Sequence, residues 1–322
     1  MTRYFITGGF GFLGQYIVQA IHDHDPQGEL RVLVRTPRPT YLPIRSLERL
    51  RLVTGDLNQP ESYAGELLGA DVVIHNAALV SFKPADREAL FRANIAGTQA
   101  LAQAAAERGC PNFIFISSIS AIGHCPGEPA DETCLPDLQE KLANDPYGYS
   151  KRIGELEVFS RLGGQRVLAL NPSVILGPGS ARVDQVAGLV RRLPLLPMIT
   201  TMNSFVDVRD VAQAVVLALS RGQSGERYIV TSDNLDMLSF ARLALQVAGS
   251  RAAVVPLSGR LVGLGDGLVA LADRLGFNPG IRKLSDLNVD KVYSTDKIRR
   301  ELGWAPAVSL EQSLKDTLAA GA

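Results

Sequence analysis

Cysteine and histidine are scarce in this chain, with three of one and four of the other in 322 residues. Cys110, Cys125 and Cys134 form neither a C-x-x-C pair nor an even framework. The sequence therefore predicts three inert packing residues in a reducing compartment and no structural zinc. His22, His24, His75 and His124 lack metal-ligand spacing, so no metal ligand is assigned. An excess of one charge is also lacking: 33 basic residues balance 33 acidic ones, leaving no global field for nucleic acid or an anionic membrane. The most apolar late stretch, Leu261 to Phe277, is broken by Gly265, Asp266, Gly267, Asp273 and Arg274. It is too polar to span a membrane and reads as an amphipathic helix over a pocket. A strand-like run starts almost at Met1, so no targeting segment is read and a cytoplasmic location is expected.

What the chain does have is glycine at a meaningful spacing. Gly8, Gly11 and Gly14 lie between the β-rich Tyr4-Phe5-Ile6 and a helical run from Phe12 to Ala20. Gly8 suits the tight strand-to-helix turn, Gly11 lets backbone approach a pyrophosphate, and Gly14 lets the helix pack closely on the strand. Phe12 and Leu13 open a helix whose unpaired N–H groups and positive dipole end form an anion site. Further strands are read at Leu30–Val34, Leu52–Thr54, Val72–His75, Phe113–Ser117 and Arg166–Leu170. Helical spacing falls between them at Phe12–Ile21, Pro60–Leu68, Pro84–Arg108 and Tyr147–Leu162. Strand-helix alternation predicts an α/β protein with a Rossmann-type doubly wound parallel sheet.

After Asn171-Pro172 the pattern loosens, with helices read at Arg182–Arg192, Val208–Ser220, Ser239–Val247 and Leu310–Leu318. Residues 1–172 are assigned to the dinucleotide-binding domain, with 202–220 returning to it. Residues 173–201 and 221–322 are assigned to a smaller substrate lobe.

The second strand ends in Val34-Arg35, where an NAD site would place an acid against the ribose 2′-hydroxyl. Arginine there can pair a 2′-phosphate, with Arg38 near enough to help, so NADP(H) is expected and NAD(H) is the alternative. Glu29 stands at the wrong end of the strand to supply the missing acid.

Tyr147 and Lys151 share one helix face at four-residue spacing. An ammonium there stabilises a phenolate, which prepares Tyr147 to exchange a proton near neutrality. Tyr149 has Ile153 as its four-residue partner and suits packing or substrate contact. The apolar run Phe113 to Ile116 ends in Ser117-Ser118, placing hydroxyls at the carboxyl edge where doubly wound sheets bind ligands. Ser118 is the candidate to orient a substrate oxygen, with Ser117 and Ser120 as alternatives.

Together these residues resemble the extended short-chain dehydrogenase/reductase family over nearly the whole chain. Gly8, Gly11 and Gly14 resemble its glycine motif, Asp56 with Leu57 its adenine-contacting strand end, and His75-Asn76-Ala77-Ala78 its strand-four signature. Asn94 is similar to its structural asparagine, and Ser118, Tyr147 and Lys151 to its catalytic set. Asn171-Pro172-Ser173-Val174 resembles the loop passing the nicotinamide, while Phe205 to Ala212 and Leu302-Gly303-Trp304-Ala305-Pro306 resemble shared structural motifs. The resemblance implies a cofactor site including Ala77, Pro172 and Val174. It implies hydride exchange with a small-molecule carbonyl or carbinol, Tyr147 as acid/base, Ser118 holding the oxygen, and Lys151 on the nicotinamide ribose. A homodimer through helices beside the tyrosine is common in the family.

Departures from the family's branches narrow the reaction. Ser118 is followed by Ile119-Ser120 rather than the Asp-Glu pair of sugar 4,6-dehydratases. Ile199 to Ser204 holds no cation where many nucleotide-sugar epimerases carry a diphosphate-binding arginine, although Arg182, Arg191 or Arg192 could approach from elsewhere. The best match is a dihydroflavonol-reductase-like or hydroxysteroid-dehydrogenase-like oxidoreductase, with Phe82, Tyr149 and Leu261–Leu271 as candidates for an apolar pocket. A nucleotide-sugar epimerase using bound NAD and a cofactor-sensing regulatory protein are the alternatives.

Overall fold

A computed structural model describes residues 1–125, 128–180, 195–257 and 289–320. The chain begins with β1 (Arg3–Thr7), α1 (Phe12–His24), β2 (Glu29–Val34), β3 (Leu50–Thr54) and β4 (Val72–His75). Next come α2 (Arg87–Phe91), α3 (Gly97–Glu107), β5 (Asn112–Ile116), α4 (Leu138–Asn144), α5 (Pro146–Arg161) and β6 (Arg166–Pro172). The remainder supplies β7 (Val174–Leu176), β8 (Leu195–Met198), β9 (Met202–Asp207), α6 (Val208–Arg221), β10 (Arg227–Val230), β11 (Asp233–Asp236), α7 (Met237–Val247) and β12 (Ala253–Pro256). Two helices, α8 (Asp296–Leu302) and α9 (Leu310–Ala320), follow.

Seven parallel strands form the central sheet in the order β10-β6-β5-β4-β1-β2-β3. Alternation along each strand builds two apolar cores. Tyr4, Ile6, Ile114, Ile116, Leu168 and Leu170 face one layer, which also holds residues of α1, α6 and α8. Phe5, Phe113, Phe115, Val167 and Ala169 face the other, with residues of α3 and α5. The order runs outward from β1 to β3 and returns at β4, so the crevice at the carboxyl ends of β1 and β4 is the switch point where such sheets bind ligands.

Several elements differ from the sequence reading. Pro60–Leu68 is not one helix but two 3₁₀ turns, Pro60–Ser62 and Ala64–Leu67. Pro84–Arg108 is divided: a 3₁₀ turn at Pro84–Asp86 precedes α2, and a π-helical turn at Arg92–Ala96 separates α2 from α3. Arg227–Val230, assigned above to the substrate lobe, is the edge strand of the main sheet, because its wholly buried Tyr228, Ile229 and Val230 complete the core beside β6. The helix read at Arg182–Arg192 and the run Leu261–Phe277 lie outside the described residues.

Cys125 and Cys134 are joined by a disulfide, with Cα atoms 6.0 Å apart, which corrects the reading of three inert thiols. Gly123 N–H donates to the Cys134 carbonyl at 2.7 Å, which brings together two segments whose cysteine spacing alone carried no pairing signal. Cys110 is free and buried.

The two late motifs meet at one joint. Asp207 caps α6 by accepting from Arg209 N–H, and Asp210 accepts from the N–H groups of Ala307 and Val308. Trp304, 1 % exposed, donates its indole N–H to the Asp210 carbonyl and fills the core under α6. This joint fastens the C-terminal segment to the layer that holds α1 and α6.

Candidate active site

The glycine turn is shaped by contacts that a side chain would break. Gly8 has φ +68°, and a Cβ there would stand 2.7 Å from Ala77 Cα; a Cβ on Gly14 would stand 1.9 Å from the Gly8 carbonyl oxygen. Gly11 N–H donates to that same oxygen at 2.9 Å and then begins α1 with no side-chain cap and no acid in the first turn. The N–H groups at Phe12, Leu13 and Gly14 thus keep the positive end of the helix available for an anion. Arg35 follows β2 directly and is exposed, as is Arg38. At the end of β3, the half-buried Asp56 accepts from Asn58 N–H through Oδ1, and Leu57 packs under Gly97 of α3.

A chain of hydrogen bonds runs from this turn into α5. Thr7 Oγ1 contacts His75 Nδ1 at 2.7 Å, and His75 Nε2 contacts Thr98 Oγ1 at 2.9 Å. Thr98 spends its only hydroxyl proton on the Asn94 carbonyl, so Nε2 carries the imidazole proton and Nδ1 accepts from Thr7. Thr7 Oγ1 in turn accepts from Ala77 N–H, which fixes the strand-four signature against β1. The fully buried His75 is pushed down to about 3, first by burial and then by the nearby Lys151 charge, so it stays neutral.

Asn94 lies in the π-helical turn, its amide bonded both ways to Leu79 (2.7 and 2.9 Å) and donating to Ser150 Oγ at 3.0 Å. Ser150 closes onto the Tyr147 carbonyl at 2.8 Å. The extra residue of the turn displaces the helical ladder there, an arrangement that recurs where a side chain must be aimed at a site.

Helix α5 starts where Asp145 caps it through Gly148 N–H and Pro146 occupies its first turn. Tyr147 is half-buried, edge-on to the 42 % exposed Phe82 ring at 5.8 Å. Tyr149 packs on Phe91, in accord with its helical register. Lys151 is 2 % exposed, donates to the Ile116 carbonyl at 2.6 Å and sits over the Phe115 ring. Burial pushes its ammonium down to about 7, with Glu155 pulling the other way. Ser118, just past β5, accepts from Ser120 N–H. A Cβ on Gly148 would come within 2.5 Å of the Ser120 carbonyl, so glycine beside Tyr147 permits the Ser118 segment to approach α5.

Pro172 is buried at the end of β6, and Val174 is 40 % exposed at the start of β7. Around this carboxyl edge, Ser117 Oγ, Asn171 Oδ1 and Ser173 Oγ are buried without a hydrogen-bond partner. Orphaned polar atoms at the same carboxyl edge as an uncapped helix terminus and a glycine turn, two to three strands away, fit a dinucleotide laid across the sheet edge. The sequence reading missed Glu155, Arg227 and Glu132, which form a buried polar cluster behind Ser118 and Lys151. The available signal was Glu155, four residues after Lys151 on the same helix face. Among the described residues, no group of three His, Cys, Asp or Glu side chains is placed to hold a metal, and no helix is long and apolar enough to cross a membrane.

Residues 4–231 match the model of the NAD dependent epimerase/dehydratase family. A protein of Synechocystis sp. provisionally named dihydroflavonol 4-reductase is 30% identical, over 98% of this chain and 93% of its own length. The 3-beta-hydroxysteroid dehydrogenase of Mycolicibacterium neoaurum is 28% identical, over 99% of this chain and 91% of its own. The crystal structure of gox2253 superposes with a TM-score of 0.83 at 27% identity, covering 99% of this chain and 98% of that one. The chain belongs to the NAD dependent epimerase/dehydratase family, and is an NAD(P)-dependent oxidoreductase of the extended short-chain dehydrogenase/reductase type.

Proposed function

We propose that this protein is an NADP(H)-dependent reductase of a ketone or aldehyde on a partly apolar small molecule, working reversibly on the matching alcohol. A bound nicotinamide supplies the hydride chemistry. Tyr147 delivers a proton from its phenol oxygen to the substrate oxygen, and Ser118 Oγ holds that oxygen in place. Lys151 supports the phenolate charge from the next helical turn and binds the nicotinamide ribose. Gly8, Gly11 and Gly14 with the N–H groups of Phe12 and Leu13 take the pyrophosphate, while Asp56, Leu57 and Ala77 border the adenine side. Pro172 and Val174 flank the nicotinamide, and Arg35 takes a 2′-phosphate.

The observation that carries this reading is the shared placement of Ser118 and the Tyr147-Lys151 turn at the sheet edge, held by Gly148 and by the Ile116 carbonyl. Support for an apolar substrate comes from the exposed Phe82 beside Tyr147 and from a cavity of about 230 Å³. That cavity is lined mainly by apolar side chains such as Met198, Met202, Met237 and Leu257, with Thr201, Asn203 and Lys291 as its polar members, and it lies below the roughly 300 Å³ of a site for a whole ligand. It suits a hydrocarbon portion instead. Met202 is three residues before Phe205, the strand partner of Val174, or about 10 Å along β9. The two named relatives, a dihydroflavonol reductase and a hydroxysteroid dehydrogenase, take ring-built substrates by name, which agrees with such a pocket.

Incubation with NADPH and a panel of apolar ketones and aldehydes tests the proposal. Stoichiometric NADPH consumption is expected; an isomerised sugar nucleotide without net consumption would instead identify an epimerase. Tyr147→Phe is expected to bind NADPH as before and lose at least 100-fold in turnover. Arg35→Ala should weaken NADPH about tenfold or more while leaving NADH unchanged, and tighter binding of NADH by the unmodified protein would overturn the cofactor assignment.

A further inference from the structure

Glu155 is wholly buried, and both of its carboxylate oxygens are engaged. Oε1 accepts from Asn171 Nδ2 at 2.6 Å, and that same amide nitrogen donates to the Ser118 carbonyl at 3.0 Å. Oε2 accepts from Arg152 at 2.8 Å and from Arg227 at 3.4 Å. Arg227 reaches onward to the Glu132 carbonyl, and the Glu132 carboxylate accepts from Ile229 N–H at 2.7 Å. A single side chain therefore touches the end of β6 and the strand β10, and is one residue removed from the Ser118 carbonyl through Asn171 and from Glu132 through Arg227, while standing one turn beyond Lys151 on α5. Isolated buried carboxylates are costly, and this one is offset by two guanidinium groups and an amide.

We propose that Glu155 is a positioning residue that holds Ser118 and Lys151 in register, through Asn171 on one side and through helix α5 on the other. It touches no reacting atom. Its Asn171 arm fixes the backbone of the Ser118 turn, and its negative charge is the nearest counterweight to the buried Lys151 ammonium. Among the described residues, the charged or titratable groups around that ammonium are Tyr147 and Glu155 on its own helix and His75 on β4, with Arg152, Arg227 and Glu132 behind Glu155. His75 stays neutral, and the two arginines carry the charge of the wrong sign, which leaves Glu155 as the stabilising partner.

The proposal rests on the oxidoreductase reading only for turnover, so two readouts independent of activity are used. Carbon-13 lysine labelling follows the titration of Lys151, assigned by its loss in Lys151→Arg. Amide hydrogen exchange follows Ala121, whose N–H is bonded to the Ser118 carbonyl at 2.9 Å. Glu155→Gln should lower the Lys151 midpoint by about one pH unit or more and speed Ala121 exchange at least tenfold, with Glu155→Asp restoring the Lys151 midpoint toward the original. Turnover in Glu155→Gln should fall at least tenfold with little change in KM. A merely structural glutamate would lower the melting temperature and leave the Lys151 midpoint in place. A folded, NADPH-binding Glu155→Gln with both the midpoint and the Ala121 exchange unchanged overturns the proposal. Should that variant fail to fold, Asn171→Ser decides: it cuts only the Ser118 arm, and unchanged Ala121 exchange there overturns the proposal equally. If the unmodified protein reduces no carbonyl while both spectroscopic effects appear, the substrate reading fails and the positioning role stands.

Discussion

Tyr147 is placed as much by the residue after it as by its own contacts. Because a Cβ on Gly148 would stand 2.3 Å from the capping Asp145 Oδ2 and 2.5 Å from the Ser120 carbonyl, Gly148→Ala must displace the cap and press α5 away from the Ser118 turn. Displacements of about 1 Å between reacting groups cost up to 100-fold, so this variant is expected to lose at least tenfold in kcat/KM. Its NADPH affinity, measured by fluorescence titration, should fall by less than kcat/KM does, because α5 carries only the Lys151 contact to the ribose and the glycine turn is elsewhere. The candidate residues Ser118, Tyr147 and Lys151 were legible in the sequence because spacing on a helix and position at a strand end are local properties. Gly148 and Glu155 were not. Glycine in a helix reads as a weak spot and glutamate as a solvated charge, until folding presses a carbonyl against one and encloses the other.

The segment from α2 to α3 shows a helix giving up regularity to seat a side chain. Asn94 on the π-helical turn joins the Leu79 loop to Ser150 of α5. Asn94→Ala leaves the half-buried Leu79 N–H and carbonyl without their Asn94 partner and is expected to cost about 1–3 kcal/mol in urea unfolding. The apolar period of Pro84–Arg108 predicts one helix, since periodicity records which face is buried and not where the ladder slips. Strands β4 to β6 were legible as short apolar runs buried on both faces. Strand β10 was not, because the chain reaches it only after leaving the sheet through β7 and β9. The 125–134 loop is an element of its own kind, and its bond should contribute about 2–3 kcal/mol through loop closure. Thiol titration of protein unfolded without reductant is expected to find one free cysteine per chain, Cys110, and three after reduction.

Across the whole molecule, the buried network makes stability depend on pH. His75 ionises near 6.5 when unfolded but is held down to about 3 in the folded chain, so between those values the unfolded state binds the extra proton. The stability His75 contributes is full above pH 6.5 and declines as the pH falls, at a limiting slope of about 1.4 kcal/mol per unit. Lys151, at about 7 folded against 10.5 unfolded, acts with the same sign in the range above pH 7. Urea unfolding at pH 7 and pH 5 should show the loss from His75, and His75→Gln should show a smaller difference between the two. Equal differences in both proteins would remove His75 as the cause.

The covalent tie between Cys125 and Cys134 also encloses Glu132, the residue that joins the loop after Ser118 to β10. The redox history of a sample thereby becomes part of its chemical definition. Protein handled in dithiothreitol and protein handled in air differ by a bond within reach of the Ser118 segment. Substrate preferences measured on one preparation describe that preparation, and a ranking of candidate substrates is meaningful only among assays that share the same thiol state.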